Sequence, residues 1–321
     1  MAKTHRFLLP DTLEPRGLVD RLSDAYTILP ATAERMTRRM YDTFDWRLYR
    51  SNRVLFKESS AYRLCRLQDG KTVATTPWPS RKQLRFWWDF PQGLLKDALK
   101  ACLGVRALLP LGTLKTYSRH IRILNQDEKT VLQGSLDEFL VKEGKQDLPL
   151  ANTLTVQSVK GYRKDLRAFK RAIGKIGVNQ KAGDVVSAAL QTLGKKPGDY
   201  ATQLDLHLEP NMPGGQAARL IFTHLLRTIQ RNEPGVKADI DTEFLHDFRV
   251  ALRRTRSGLS QIKGVFSTEN TDRFKHDLAY VGKLTNRMRD LDVYLLKEEE
   301  YRAVLPHHLK PGLTPLFEYL K

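Results

Sequence analysis

The densest run of side chains able to do chemistry is His246-Asp247-Phe248-Arg249-Val250-Ala251-Leu252-Arg253-Arg254-Thr255-Arg256. At about 100° per residue on a helix, His246, Arg249, Arg253 and Arg256 fall within roughly 80° of one another. Phe244, Phe248, Ala251, Leu252, Leu259, Ile262 and Phe266 occupy a different arc. Such a helix packs by one face and offers cations on another. Guanidinium groups bind phosphate oxygens through charge-assisted hydrogen bonds, and a histidine adds a donor or, once protonated, a further charge. Downstream, His276, Lys283, Arg287 and Asp290 lie within about 60° of each other, while Phe274, Val281, Leu284 and Met288 form an apolar face. Upstream, His224, Arg227 and Arg231 share a side at i, i+3 and i+7. Stripes on three neighbouring helices can line one groove. The bland alternative for each is a solvated face. Carboxylates are scarce within the stripe of the second helix, however, so the i, i+4 partners that neutralise a solvated face are missing there.

The stripes require helices, and the apolar periodicity predicts them at about 216–231, 242–266 and 272–302. Asn232-Glu233-Pro234-Gly235 and Ser267-Thr268 separate them. Through about residue 157 the pattern is instead of strands, as at 72–76, 119–124 and 153–156, where β-branched and aromatic residues run between Gly, Pro and Asp. Helices interrupt the strands at 92–102, closed by Gly104, and follow them at 162–173, closed by Gly174, and at 182–193. The fold class is therefore α+β: an antiparallel sheet domain over 1–205, then an all-α helical bundle over 206–321. The connector at 195–215, with Pro197, Pro210, Pro213 and three glycines, holds the boundary.

A chain of 321 residues fits two domains better than one. Lys and Arg number 54 against 36 Asp and Glu, a net charge of +18, which points to a polyanionic partner: nucleic acid, an anionic surface or a phosphate polymer. The N-terminus lacks the apolar core of a signal peptide, and no run approaches the roughly 20 apolar residues of a membrane span. A soluble cytoplasmic protein without a membrane partner is expected. Cys65 and Cys102 form neither a metal-type pair nor a disulfide framework and read as ordinary thiols. Residues 1–210 hold 36 basic and 22 acidic side chains (36 − 22 = +14), and 211–321 hold 18 and 14 (18 − 14 = +4). In the first part Arg63, Arg66, Arg85, Lys115, Arg119 and Arg122 sit on strand-like segments, where alternate residues face a tunnel or stand as ordinary exposed charges. Trp78, Trp87 and Trp88 read as core.

Residues 242–296 resemble the CHAD domain, a histidine-containing α-helical domain. Its H-x-x-R-V-x-x-R-R-x-R pattern is met by His246, Arg249, Val250, Arg253, Arg254 and Arg256, and its R-D-L-D-V by Arg289, Asp290, Leu291, Asp292 and Val293. The resemblance implies binding of inorganic polyphosphate through a basic channel between helical bundles, and association with polyphosphate granules. The candidate binding set is then His224, Arg227, Arg231, His246, Arg249, Arg253, Arg254, Arg256, His276, Lys283, Arg287 and Arg289. A CHAD domain contains two related bundles and this chain carries the first, so it is a fragment or a second copy of the chain completes the groove.

The N-terminal half is similar to the CYTH domain, the triphosphate tunnel fold, over most of residues 1–175. Arg38 to Leu48 resembles that family's tyrosine-Asp-Thr strand and turn, and Thr116 to Glu138 a later hairpin ending in the acidic pair Asp137-Glu138. The family's first strand carries E-x-E-x-K, and here Ala2, Thr4 and Arg6 stand in those positions. Residues 153–157 hold no glutamate either. Phosphoryl chemistry in that fold needs carboxylates to hold a divalent metal, so the domain is expected to be non-catalytic, with no metal site and no cofactor. The alternatives are a metal-dependent triphosphatase, with Asp42, Asp137 or Glu138 replacing the missing acids, and a nucleic-acid binder with Tyr280 and Tyr294 as stacking residues. Nucleic acid is permitted by charge but has no motif behind it. Arg249→Glu with Arg253→Glu is expected to abolish polyphosphate binding and leave the helices folded.

Overall fold

The computed structural model describes every residue except 1–3, 11, 12, 14, 81, 179, 180 and 321. Ala2, one of the first-strand positions, thus lies outside the described residues. The chain divides into two compact units, Met1–Gly104 with Leu108–Tyr200, and Val105–Ala107 with Ala201–Lys321. The boundary after Tyr200 falls within the connector at 195–215.

The first unit is built on one nine-stranded sheet. Its strands are β1 (His5–Leu8), β2 (Thr27–Asp42), β3 (Arg53–Lys57), β4 (Ala61–Arg66), β5 (Thr72–Pro77), β6 (Leu109–Leu124), β7 (Thr130–Glu143), β8 (Gln146–Pro149) and β9 (Thr153–Ser158). Their order is β1-β9-β7-β6-β2-β3-β4-β5, with β8 added to β7, and every pairing is antiparallel. The hairpin expected over 116–138 is β6 against β7, with Thr116 opposite Phe139 and Ser118 opposite Asp137. The sheet is consistent with a tunnel-like domain. Helices α1 (Pro15–Leu22), α2 (Arg47–Arg50), α3 (Leu94–Leu103), α4 (Arg163–Lys175) and α5 (Val185–Thr192) cover it.

Alternation along the strands sends successive side chains to opposite faces, and helices bury parts of the sheet while much of β2 stays exposed. Leu166, Phe169 and Ile173 of α4 pack on Phe7, Leu132, Leu154 and Val156. Val186, Ala189 and Leu190 of α5 join Met40, Leu114 and Val141, while Leu95, Leu99 and Leu103 of α3 join Tyr41, Leu55 and Leu64. Gly174 does not close α4 but lies inside it, because the next residues keep helical geometry to Lys175. Trp78 and Trp87 pack against the α3 cluster, whereas Trp88 departs from the core reading: it is 41% exposed and stacks on Phe86.

The strand cations of this unit are mostly spent on carboxylates. Arg63 pairs with Glu58, Arg66 with Asp69, Lys115 with Asp147 and Arg119 with Glu138; Arg85 and Arg122 are exposed. Asp42 is committed as well. It is buried at the end of β2 and accepts the amides of Thr43 (2.7 Å), Leu48 (2.9 Å) and Tyr49 (2.9 Å), while Thr43 Oγ1 accepts the Arg47 amide (3.0 Å). The tyrosine-Asp-Thr turn is therefore a cap for the short α2, satisfying amides that have no partner inside so short a helix.

In the second unit the helices are α6 (Gly214–Lys237), α7 (Thr242–Gln261), α8 (Thr268–Leu284), α9 (Asn286–Leu296), α10 (Glu298–Val304) and α11 (Leu313–Leu320). The expected break at 232–235 does not occur, and α6 runs through Pro234 to Lys237. A proline inside a helix forfeits one backbone bond. Here the loss is offset by packing, because Asn232 is fully buried with Nδ2 donating to Thr228 O (2.8 Å), and Gly235 lies flat against the Phe244 ring of α7, where a Cβ would come within 2.2 Å of that ring. The third predicted helix, by contrast, is divided at Thr285 and Lys297 into α8, α9 and α10.

Burial pushes the Asp42 carboxyl up from 3.8 to about 6, and its three amide donors only partly oppose that. The folded chain thus holds this proton more tightly than the unfolded one, so the stability Asp42 contributes is fullest below its unfolded pKa and is lost as the pH rises through about 6. Urea unfolding of the protein and of its Asp42→Asn variant should show the stability difference shrinking by up to about 3 kcal/mol between about pH 4 and pH 7. A difference that stays flat would mean an ordinary carboxyl.

Candidate polyanion-binding cleft

Helix α7 is the axis of the second unit, packed against α6 on one side and against α8 and α9 on another. Asp241 starts it, its side chain accepting the amides of Glu243 (3.0 Å) and Phe244 (3.3 Å), as an N-cap should. Phe244, Leu245, Phe248, Ala251 and Leu252 form its buried face. Between α7 and α8–α9 lies a cleft of about 330 Å³. His246, Arg249, Arg253 and Arg256 line it from α7, Lys283 from α8, and Arg289 from α9, with Val250, Leu252, Ala279, Gly282 and Asn286 between them. No carboxylate is among the lining residues. Arg253 and Arg256 also border an adjoining recess with Ser257, Ser260, Gln261 and Lys275, so the basic surface continues along α7.

Arg249 has a second task. Its Nη1 donates to Gly282 O (2.8 Å) and Thr285 Oγ1 (2.6 Å), and its Nη2 to Asn286 Oδ1 (2.7 Å). A continuous helix would direct the Gly282 carbonyl at the amide of residue 286. The guanidinium and the Thr285 hydroxyl (3.2 Å) both compete for it, at the point where the third predicted helix breaks. Desolvation lowers the pKa of Arg249, with Asp290 opposing and with Arg289 and Arg253 adding to the shift, so positive charge is crowded here. Arg289 presents a buried Nη1 without a hydrogen-bond partner among the described residues. A buried N–H left unmade costs free energy that an entering acceptor would recover.

The remaining sequence candidates lie outside this cleft. Arg254 donates to Thr202 O (2.9 Å), and His276 is exposed beside Asp277 (3.5 Å). Arg287 and Arg227 are exposed, and His224 and Arg231 half-buried on α6, but none of the four lines the cleft. The groove is thus formed from two helical stripes rather than three. Tyr280 and Tyr294 are exposed but do not line it.

Two residues the sequence reasoning missed complete the local frame. Arg106, 1% exposed, reaches Asp241 (3.2 Å) and also Asp247, the residue inside the basic motif that had no assigned role. Arg106 stands as one cation in a short run between Gly104 and a strand, and no periodicity marks it.

Residues 220–321 match the CHAD domain. The match spans the helices that build the cleft, from within α6 through α11. No curated protein matches the chain. Among the described residues, no helix is long and apolar enough to cross a membrane, and no group of three or more His, Cys, Asp or Glu side chains is placed to hold a metal ion.

The geometry corrects the expectation that Arg249 can be reversed in charge without structural cost. Arg249→Ala removes three hydrogen bonds that tie α7 to α8 and α9, and should lower stability by about 1–3 kcal/mol. Chemical unfolding beside Arg253→Ala, whose exposed side chain should cost under about 0.5 kcal/mol, checks this brace.

Proposed function

We propose that this protein binds inorganic polyphosphate in the cleft between α7 and α8–α9. The observation that carries the reading is the lining itself: five Arg and Lys side chains and a histidine converge on one cavity with no carboxylate among them. Like charges so gathered repel unless an anion joins them, and a phosphate chain offers successive charged oxygens to successive cations. The CHAD match over 220–321 is consistent with this ligand. Association with polyphosphate granules belongs to the same proposal.

The test uses cations that bind without bracing. In the full-length protein Arg253→Glu with Arg256→Glu should remove most polyphosphate affinity and flatten the slope of log affinity on log salt by up to about two, one per lost contact. The matching control is Arg227→Glu with Arg287→Glu, the same charge change at exposed sites outside the cleft, which should leave most affinity intact. Equal losses in both would show a diffuse field in place of a site. The absence of the exposed tyrosines from the cleft argues against base stacking. A single-stranded nucleic acid that outcompetes polyphosphate at equal phosphate would reverse the ranking.

We also propose that the first unit is non-catalytic. The acids that could replace the missing first-strand pair are already engaged: Asp42 on three amides, Asp137 on the hydroxyls of Ser135 (3.0 Å) and Thr155 (3.2 Å), and Glu138 on Arg119 (2.5 Å). Incubation with tripolyphosphate and Mg²⁺ or Mn²⁺ should release no phosphate above the uncatalysed background, and calorimetry should find no micromolar Mn²⁺ site. Clear turnover would overturn this part of the proposal.

A further inference from the structure

Arg106 is a fully buried charged side chain of the helical unit, yet it lies more than a hundred positions before α7 in the sequence. Its Nη1 donates to Asp241 Oδ1 (3.2 Å), its Nη2 to Asp247 Oδ2, and its guanidinium lies 5.1 Å from the Phe244 ring centre. The Ala107 amide adds a bond to Asp241 Oδ2 (2.9 Å). Asp241 is the N-cap of α7, and Asp247 sits in its second turn between His246 and Phe248. At about 100° per residue, Asp247 points away from the Arg249, Arg253 and Arg256 stripe. Arg106 therefore touches the back of α7, not the cleft.

We infer that Arg106 is a positioning residue for the cleft: it bridges two buried carboxylates, the N-cap of α7 and its second turn, and so fixes the turns that present His246 and Arg249. This rests on the cleft being the ligand site. Without the guanidinium, Asp241 and Asp247 remain buried and lose the bridge between them, and breaking a buried ion pair from one side is costly. The first two turns of α7 would open so that water could reach them, while Arg253 and Arg256 further along the helix would be disturbed less. The residues Val105–Ala107 belong to the helical unit for this reason, and the ligand-binding helix is not set by residues 201–321 alone.

The experiment compares full-length protein with Arg106→Met, and with Arg106→Met combined with Asp247→Leu. Replacing a buried ionic set by apolar residues of similar size is often neutral, and Asp241 keeps three backbone amide donors in the double variant. In Arg106→Met the amides of 243–250 should exchange hydrogen about a hundredfold faster or more, with a smaller change in α8. Polyphosphate affinity, measured where circular dichroism shows the protein folded, should fall about tenfold, and the salt slope should drop by about one. The double variant should recover both. Unchanged exchange in the single variant, or a double variant as unprotected as the single one, would overturn the inference. Recovery of protection without recovery of affinity would mean that Arg106 contacts the ligand, and would overturn the positioning role. If the unmodified protein bound no polyphosphate, the functional proposal would fall, and the exchange comparison would still decide what Arg106 does.

Discussion

The helical unit depends on which oxygens its arginines are given. Arg106 is matched by two carboxylates, so its charge is fully spent on holding α7. Arg249 is matched by a carbonyl, a hydroxyl and a side-chain amide oxygen. Those acceptors fix the guanidinium as firmly as carboxylates would, but they cancel none of its charge. Neutral acceptors on the wall of the cleft and charged acceptors behind the helix let one element carry a rigid frame and an uncompensated positive surface.

The same distinction explains why net charge was a poor guide to place. Residues 1–210 hold most of the excess, +14 against +4. Yet Arg63, Arg66, Lys115 and Arg119 each meet a carboxylate on the sheet, and at surface positions such pairs stabilise little but screen the field. The smaller excess of the helical part has more effect, because α7 and α9 place their cations where no acid reaches the lining. A polyanion responds to local potential and not to a sum over the chain.

Periodicity was sufficient for the class of each half and for most helices, since a core face repeats along many residues and survives local exceptions. It also put His246, Arg249, Arg253 and Arg256 on one side of α7, where the cleft is. Spacing along one helix cannot say which side faces a neighbour, and for that reason His224, Arg227 and Arg231 were grouped correctly among themselves but assigned to a groove they do not line. Breakers misled in the same way. Asn232-Glu233-Pro234-Gly235 reads as a turn because Asn, Pro and Gly each weaken a helix, and tertiary packing of Asn232 and Gly235 against neighbours decides otherwise. At Thr285 the hydroxyl bonds back to the Val281 and Gly282 carbonyls, and a guanidinium from another helix competes for the same Gly282 oxygen.

These failures share a cause that also bears on Asp42 and Asp247. Both carboxylates were read by type, one as a possible metal ligand and the other as a bystander within a basic motif. Each is buried, and a buried carboxylate persists only where donors surround it. For Asp42 the donors are amides from the next six residues or so, a local arrangement that the turn sequence hints at. For Asp247 a donor is Arg106, contributed from a distant part of the chain. A carboxylate within a cationic motif but on the opposite, packed side of the helix is itself a signal that a cation must meet it there. Residue type at one position thus poses a requirement that the sequence states, while only the fold names the residue that meets it.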